Sequence, residues 1–489
     1  MERLRGLLLL ICGMLLITAT ASAAPGVIRH AVEPVPGEYI VVLNADMPGA
    51  SVASMATEIA LQHGGRVRGV FKNGIKGFGL EANTTAAQAV AHDPRVAWVE
   101  ENAYGHLSYD VEYYSDAGAS GGPARWHLDR IDQRSSIFAN PTHAYAWTST
   151  GAGVAVYMPD TGVQIGHTEF SNGNVTAGAN YAVGDGFTPT NPCGGFGNFY
   201  NGGHGTATAS LVGGRTVGVA RGATIVPVKV GSCNPTANAT YELTITSLSI
   251  IQSLDWILGD MSANPGRRAV VSFSVFVRST DTGCGVDCIS AMDNNVRNLL
   301  NAGAVVVASA NNQHANHCGD QSPARFGYGG MYDGADVERD HPDWPFVITA
   351  GGTNVSDGQY FCQYCLDHQA GDIGSNFGPC VDIYAPAQII HAAHVANSGA
   401  YRDEQPWLTD AIQSGRYANY LTVEWVSSGT SFAAPITAGV VARMLQTFPT
   451  MTVRQVWNNL KSSATALPNN FDGDNNPAND ILIYISPYN

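Results

Sequence analysis

The sequence predicts an α/β fold in which a mostly parallel sheet carries helices on both faces, with a small α+β unit ahead of it. Three observations predict this. From Trp126 onward, short β-branched apolar runs alternate with helical patterns, as buried parallel strands and their crossover helices do. Residues 37–102 read β-α-β-β-α-β instead, the order of a split βαβ unit with helices on one face of an antiparallel sheet. Finally, 45% hydrophobic against 13% charged residues over 489 positions describes a well-packed chain and excludes a disordered or fibrous one.

At the N-terminus, Arg3 and Arg5 precede an uncharged apolar run, Gly6 to Ile17, and then Ala21-Ser22-Ala23. This is the three-part layout of a secretory signal cut after Ala23, and the run is short for a membrane span. The expectation is a secreted, extracellular protein with no membrane attachment after signal removal. Cys12 leaves with the signal. The eight remaining cysteines (Cys193, Cys233, Cys284, Cys288, Cys318, Cys362, Cys365 and Cys380) form an even set that reads as disulfides in an oxidising compartment. Cys362-x-x-Cys365 near His368 is also half of a zinc pattern, the weaker reading there.

In the small unit, strands are expected at Glu38 to Leu43, Arg66 to Phe71, Gly77 to Glu81 and Val96 to Glu100. Helices are expected at Val52 to His63, stopped by Gly64-Gly65, and at Thr84 to His92. Ala103 to Arg125 lacks periodicity and reads as a linker. Beyond it, strands are expected at Val154 to Met158, Ile225 to Val230, Ala269 to Ser274, Ala304 to Ala310 and Phe346 to Ala350, with helices at Thr244 to Leu258 and Asp293 to Asn301. Phe326 to Pro342 and Val395 to Tyr420 break the rhythm and read as insertions. The formal charge of −15 argues against nucleic acid or an anionic membrane as partner.

Three local clusters carry chemistry. Asp160-Thr161-Gly162 ends a buried strand, where working groups of a parallel sheet collect. Gly203-His204-Gly205-Thr206 opens a helical stretch. Ser428-Gly429-Thr430-Ser431 leads into a nearly all-apolar segment that must be a buried helix, and its N-terminus offers unpaired N–H groups to a developing oxyanion. Alone, Ser431 would merely cap that helix, His204 would mark a turn and Asp160 would cap a strand. Together they supply a weak nucleophile, its base, and the group that orients the base.

In this order, D-T-G, G-H-G-T and G-T-S-x-A-x-P resemble the three motifs of subtilisin-like serine proteases of the peptidase S8 family. Trp126-His127-Leu128-Asp129-Arg130-Ile131 is similar to the mature start of the proteinase K-like subgroup. Gly218-Val219-Ala220, the Val228-Lys229-Val230 strand, Ser375-Asn376-Phe377-Gly378 and Val381-Asp382-Ile383 also fit the family. The resemblance implies a subtilisin-like three-layer αβα sandwich behind a ferredoxin-like, inhibitor I9-type propeptide, with a signal at 1–23, a propeptide at 24–115 (inhibitor-like over 37–102) and a peptidase domain at 116–489. It implies a secreted serine endopeptidase made as a zymogen, monomeric, acting on protein or peptide substrates, with its own propeptide as intramolecular inhibitor.

The resemblance further implies catalytic Asp160, His204 and Ser431, an oxyanion donor Asn311, and a substrate-binding set of Ser274, Val275, Phe276, Ala308, Ser309 and Ala310. No cofactor is required for catalysis and no catalytic metal is expected. Structural calcium occurs in the family, without a ligand set matched here, and Asp472-Gly473-Asp474 lacks calcium-loop spacing. Departures are Ala310 before Asn311 and Phe276, where the family has Gly, and Pro159 before Asp160. Phe276 is expected to narrow or reroute the pocket toward small or unusual P1 or P4 side chains. Rival readings are an aspartic protease, from the second D-T-G at Asp281-Thr282-Gly283, and a catalytically inactive binding protein of the same fold.

Overall fold

The computed structural model describes residues 26–107, 125–136, 145–182, 184–192, 203–235, 241–278, 290–327, 346–359, 361–362, 373–388, 390–393, 424–467 and 480–485. The signal, the second D-T-G, both expected insertions apart from their edges, and Cys365 with His368 lie outside these residues, as does Asp472-Gly473-Asp474.

The small unit forms as its pattern dictates. Strands Pro34–Leu43, Arg66–Phe71, Gly77–Glu81 and Val96–Leu107 build an antiparallel sheet, and helices Val52–His63 and Thr84–Ala91 cover one face. Gly64, at φ 79°, ends the first helix in the left-handed conformation that glycine adopts without cost. Asn83 caps the second through its side chain, which accepts from the Ala86 N–H. After Glu38, the run Tyr39 to Leu43 is apolar without alternation because both faces of its strand are buried there. Tyr39, Val41 and Leu43 join the unit's own core, whereas Ile40 and Val42 point the other way into the main core.

The main sheet is parallel across Ile481–Leu482, Ile383–Pro386, Ile348–Thr353, Val305–Ser309, Arg268–Phe273, Val154–Asp160, Thr224–Lys229 and Ala179–Asn180, with Thr465–Ala466 antiparallel at one edge. Helices His204–Gly213 and Thr430–Thr447 pack together on one face; Ser247–Ala263 and Ala291–Asn301 pack together on the other. This is the expected three-layer sandwich. Helix Thr430–Thr447 is buried from Thr430 to Leu445, consistent with its lack of a polar face.

Two boundaries differ from expectation in ways that matter. The last strand of the small unit runs to Leu107 rather than Glu100, so Ala103–Leu107 is not linker. Its outer half lacks a periodic pattern because it is held by backbone pairing on both sides: Ile245↔Gly105 and Thr246↔Tyr104 on one, Val275↔Leu107, Phe276↔His106 and Val277↔Gly105 on the other. The helix expected from Thr244 starts at Ser247. Thr246 closes a capping box with Ser249, and Tyr241–Thr246 is a strand.

Candidate active site

Asp160 is the last residue of a central strand, its backbone in register with Lys229 of the neighbouring strand. Pro159 costs little there, because pairing on the side of Arg268–Phe273 has already ended at Val271↔Tyr157. The Lys229 ammonium is fully buried and pairs with Asp185; burial pushes its pKa down and the carboxylate opposes that.

His204 begins its helix against this strand end. The approach is so close that a Cβ on Gly205 would meet the Gly162 carbonyl oxygen at 2.4 Å, which explains the glycine after the histidine. His204 Nδ1 lies 2.8 Å and 2.9 Å from the two Asp160 carboxylate oxygens. A carboxylate only accepts, so Nδ1 carries the proton and Nε2 is the basic nitrogen. The Thr161 N–H donates to Asp160 at 2.7 Å and the Thr208 hydroxyl at 3.2 Å, and all these groups are buried. Thr208 had escaped the sequence reading. Its signal was present, one turn after His204 on the same helix face.

Ser431 is the second residue of helix Thr430–Thr447. The preceding Gly429 has φ 140° and ψ 154°, a backbone conformation open essentially to glycine alone. The turn, rather than space for a substrate, therefore accounts for this glycine. Ser274 joins the serine directly: its hydroxyl donates to the Ser431 carbonyl at 3.1 Å, and Ser431 Oγ donates to the Ser274 carbonyl at 3.4 Å. Asn311 is tied to the same helix start, its N–H donating to Thr430 Oγ1 at 2.9 Å while the Thr430 N–H donates to Asn312 Oδ1 at 2.9 Å. The structure thus brings Ser274, Asn311 and Ser431 together, brings His204 onto Asp160, and packs the two helices that carry His204 and Ser431 against each other.

The departures resolve unevenly. The positive φ of this turn, 74°, falls on Asn311, a residue type that tolerates it, and Ala310 lies outside the left-handed region. Ala310 donates its N–H to the Ala350 carbonyl and is buried with Ala308 and Ser309. Val275 and Phe276 pair with the strand end Gly105–Leu107. The Phe276 ring is buried against the His106 ring, centroids 5.3 Å apart and tilted by 34°.

Three of the eight cysteines expected in disulfides are disulfide-bonded among the described residues. Cys318–Cys380 is a disulfide, and Cys233 is disulfide-bonded to a partner outside the described residues. Among the described residues no group of three or more His, Cys, Asp or Glu is placed to hold a metal ion, and no helix is long and apolar enough to cross a membrane.

Residues 151–479 match the family model described as the subtilase family, Peptidase_S8. The chain belongs to the subtilase family. This subtilase is 31% identical to the "Extracellular serine proteinase" of Thermus sp. (strain Rt41A), over 98% of this chain and 99% of that protein. It is 28% identical to the "Alkaline serine exoprotease A" of Vibrio alginolyticus, over 80% of this chain and 55% of that one. Among solved structures, a cold adapted subtilisin-like serine proteinase matches with TM-score 0.51 and 27% identity, covering 74% of this chain and 98% of its own. Fervidolysin from Fervidobacterium pennivorans matches with TM-score 0.61 at 19% identity over 94% of this chain and 62% of its own, a likeness of fold. The subtilase is a serine endopeptidase, and its substrates are peptides or proteins.

Proposed function

We propose that this subtilase is a secreted, monomeric zymogen that cuts internal peptide bonds through Ser431, His204 and Asp160 and is held inactive by its own residues 24–115. His204 Nε2 takes the Ser431 proton as Oγ attacks the scissile carbonyl. The Ser431 N–H and the Asn311 amide stabilise the oxyanion. The imidazolium, steadied by Asp160, then protonates the leaving amine, and water, activated the same way, releases the acyl group. The residues so used need no cofactor or metal. Calcium bound elsewhere for stability would be compatible with this reading. Secretion is supported by the N-terminal layout and the disulfides.

One observation carries the reading. The chain's own Tyr104–Leu107 lies as an extended strand between Tyr241–Thr246 and Val275–Arg278. Leu107, the last described residue of this strand, pairs with Val275, the neighbour of Ser274, which is the partner of Ser431. Backbone pairing on both edges is how a protease holds a peptide without regard to most of its side chains. The same strand grows from the small sheet, so inhibitor and substrate mimic are one element, as an I9-type propeptide on a proteinase K-like enzyme would have it. We assign the processing cut beyond Leu107.

The resident strand also supports a specificity. A Cβ on Gly105 would sit 2.8 Å from an Ile245 methyl, so that subsite takes glycine or very small residues. Phe276 faces the following residue, His106, and so rewards a flat side chain there rather than narrowing the primary pocket. Ala308, Ser309 and Ala310 belong to the wall of that primary pocket.

Labelling the processed protein with a fluorophosphonate tests the assignment. Modification is expected at Ser431 and absent in His204→Ala, and Ser431→Ala is expected to be nearly inactive. No labelling with the propeptide gone would favour an inactive subtilisin-fold binding protein.

A further inference from the structure

Asn311 cannot serve as an oxyanion donor unless its carboxamide is held the right way round, because its two ends differ only in what they donate or accept. The structure contains a buried chain of amides that decides this. Asn376 Oδ1 accepts from the backbone N–H groups of Gln313 at 2.9 Å and Ala315 at 3.2 Å. A backbone N–H only donates, so this end of Asn376 is its oxygen. Asn376 Nδ2 therefore faces Gln313 Oε1 at 2.9 Å and Gln321 Oε1 at 3.1 Å. Gln321 Nε2 in turn donates to Gln313 Oε1 at 3.2 Å. With its oxygen end fixed by Asn376, Gln321 accepts from Asn311 Nδ2 at 2.7 Å. Turning Asn311 over would set oxygen against oxygen. The Ser309 hydroxyl, 3.4 Å from Asn311 Oδ1, supports the other end.

We propose that Gln321 is a positioning residue for catalysis, orienting the Asn311 carboxamide so that its nitrogen serves the oxyanion. The inference rests on the reading of Asn311 as oxyanion donor. Gln321 is fully buried, and its strand, Gln321–Ser322, pairs with Val277–Arg278, the strand that holds the substrate backbone. An NH2 group has two N–H bonds; by accepting one, Gln321 sets the direction of the other. The orientation is thus prepared before substrate arrives, the condition under which a neutral donor is most effective. No local sequence pattern marks Gln321, because its partners lie ten residues before it and fifty-five after it.

The test is steady-state kinetics on the processed enzyme, with active sites counted by fluorophosphonate. Gln321→Met, which removes the acceptor at similar volume, is expected to lower kcat about five- to tenfold with KM unchanged. Gln321→Glu, which burial without a cation keeps protonated, retains an acceptor oxygen toward Asn311 and donates its O–H to Gln313 in place of Nε2, so it is expected to stay within about threefold of wild type at or below neutral pH. Asn311→Ala is expected to lower kcat about 10²- to 10³-fold, and adding Gln321→Met to it is expected to change kcat by less than about twofold. If Gln321→Met is not secreted, Gln321→Asn carries the same test by withdrawing the acceptor while remaining an amide. Unchanged kcat in the variant so used, an effect confined to KM, or an equal loss with Asn311 already removed would overturn the positioning role alone. Full activity in Asn311→Ala would instead remove the oxyanion reading, and the proposal with it.

Discussion

Asp160 and Glu100 are both carboxylates buried in polar surroundings, yet one is buried within the main unit and the other between the two units. The Thr161 N–H, His204 and the Thr208 hydroxyl, which hold Asp160, all belong to the main unit. Glu100 lies on the seam. It accepts from Trp98 Nε1 at 2.9 Å and lies 4.0 Å from Arg29 on its own side, and it accepts from the Ala291 N–H at 3.1 Å on the other. That N–H opens helix Ala291–Asn301, so Glu100 acts as a carboxyl cap lent by one unit to a helix of the other. Asn102 lends a neutral cap to the neighbouring helix, accepting from the Leu248 N–H at 2.9 Å. A carboxylate on the seam is a place where pH acts on the contact.

The largest effect expected is from breaking the permanent cluster. Asp160→Asn removes the acceptor that holds the His204 tautomer, and kcat should fall about 10⁴-fold while the fold survives. Burst titration together with circular dichroism would check both halves; a loss of ten-fold or less would mean that Asp160 does not orient the base.

A smaller effect is expected at the seam. Burial raises the Glu100 pKa to about 7 from an ordinary 4.5; the nearby Asp293 adds to this, while Trp98, Arg29 and the Ala291 N–H oppose it. The pKa is raised in the assembled state, so Glu100 contributes to assembly in full below its free pKa and loses that contribution as pH rises through about 7. Inhibition of the processed complex by its own propeptide should weaken roughly ten- to hundredfold between pH 5 and pH 8. Glu100→Gln, which still accepts from Ala291, should flatten that dependence, measurable as onset of peptidase activity against pH. A profile unchanged by the substitution would count against the seam carboxylate as its source.

The smallest effect concerns the substrate strand. Phe276→Gly should cost peptides with His or an aromatic residue opposite it about two- to tenfold in kcat/KM, and leave alanine peptides unchanged. A library profile identical to wild type would show that the Phe276–His106 contact serves packing alone.

How far the sequence was legible follows the reach of each constraint. Val52–His63, Arg66–Phe71 and Gly77–Glu81 stand where periodicity and the Gly64-Gly65 stop put them, because each is specified by its own residues. The main strands deviate at their ends: Val154–Asp160 and Ile348–Thr353 run past the expected C-terminal limit, while Val305–Ser309 stops short of the apolar run at both ends. Asp160 and His204, which the structure places in contact, stood out because Gly162 and Gly205 beside them answer a local steric need. Ala103–Leu107 stayed hidden, since its partners are distant in the sequence, at Glu33, Pro34, Ile245, Thr246 and Val275 to Val277, and bind its backbone. Gln321 and Asn376 stayed hidden for the same reason, their meaning being set by hydrogen-bond direction across three loops. Local patterns report shape; long-range polar contacts report orientation, and only coordinates carry them.

The two-sided strand Pro34–Leu43 has a kinetic consequence. While the units are joined, Ile40 and Val42 share the main core with Phe71 and Ala103. If the chain is cut as proposed and the units part, that face would meet water and leave Ile40 and Val42 of the departing piece bare. That piece would then be the readier target for the freed peptidase, and each copy digested would be one fewer to rebind. Activation built this way behaves as a ratchet: the same two side chains that secure the lock make the discarded key perishable.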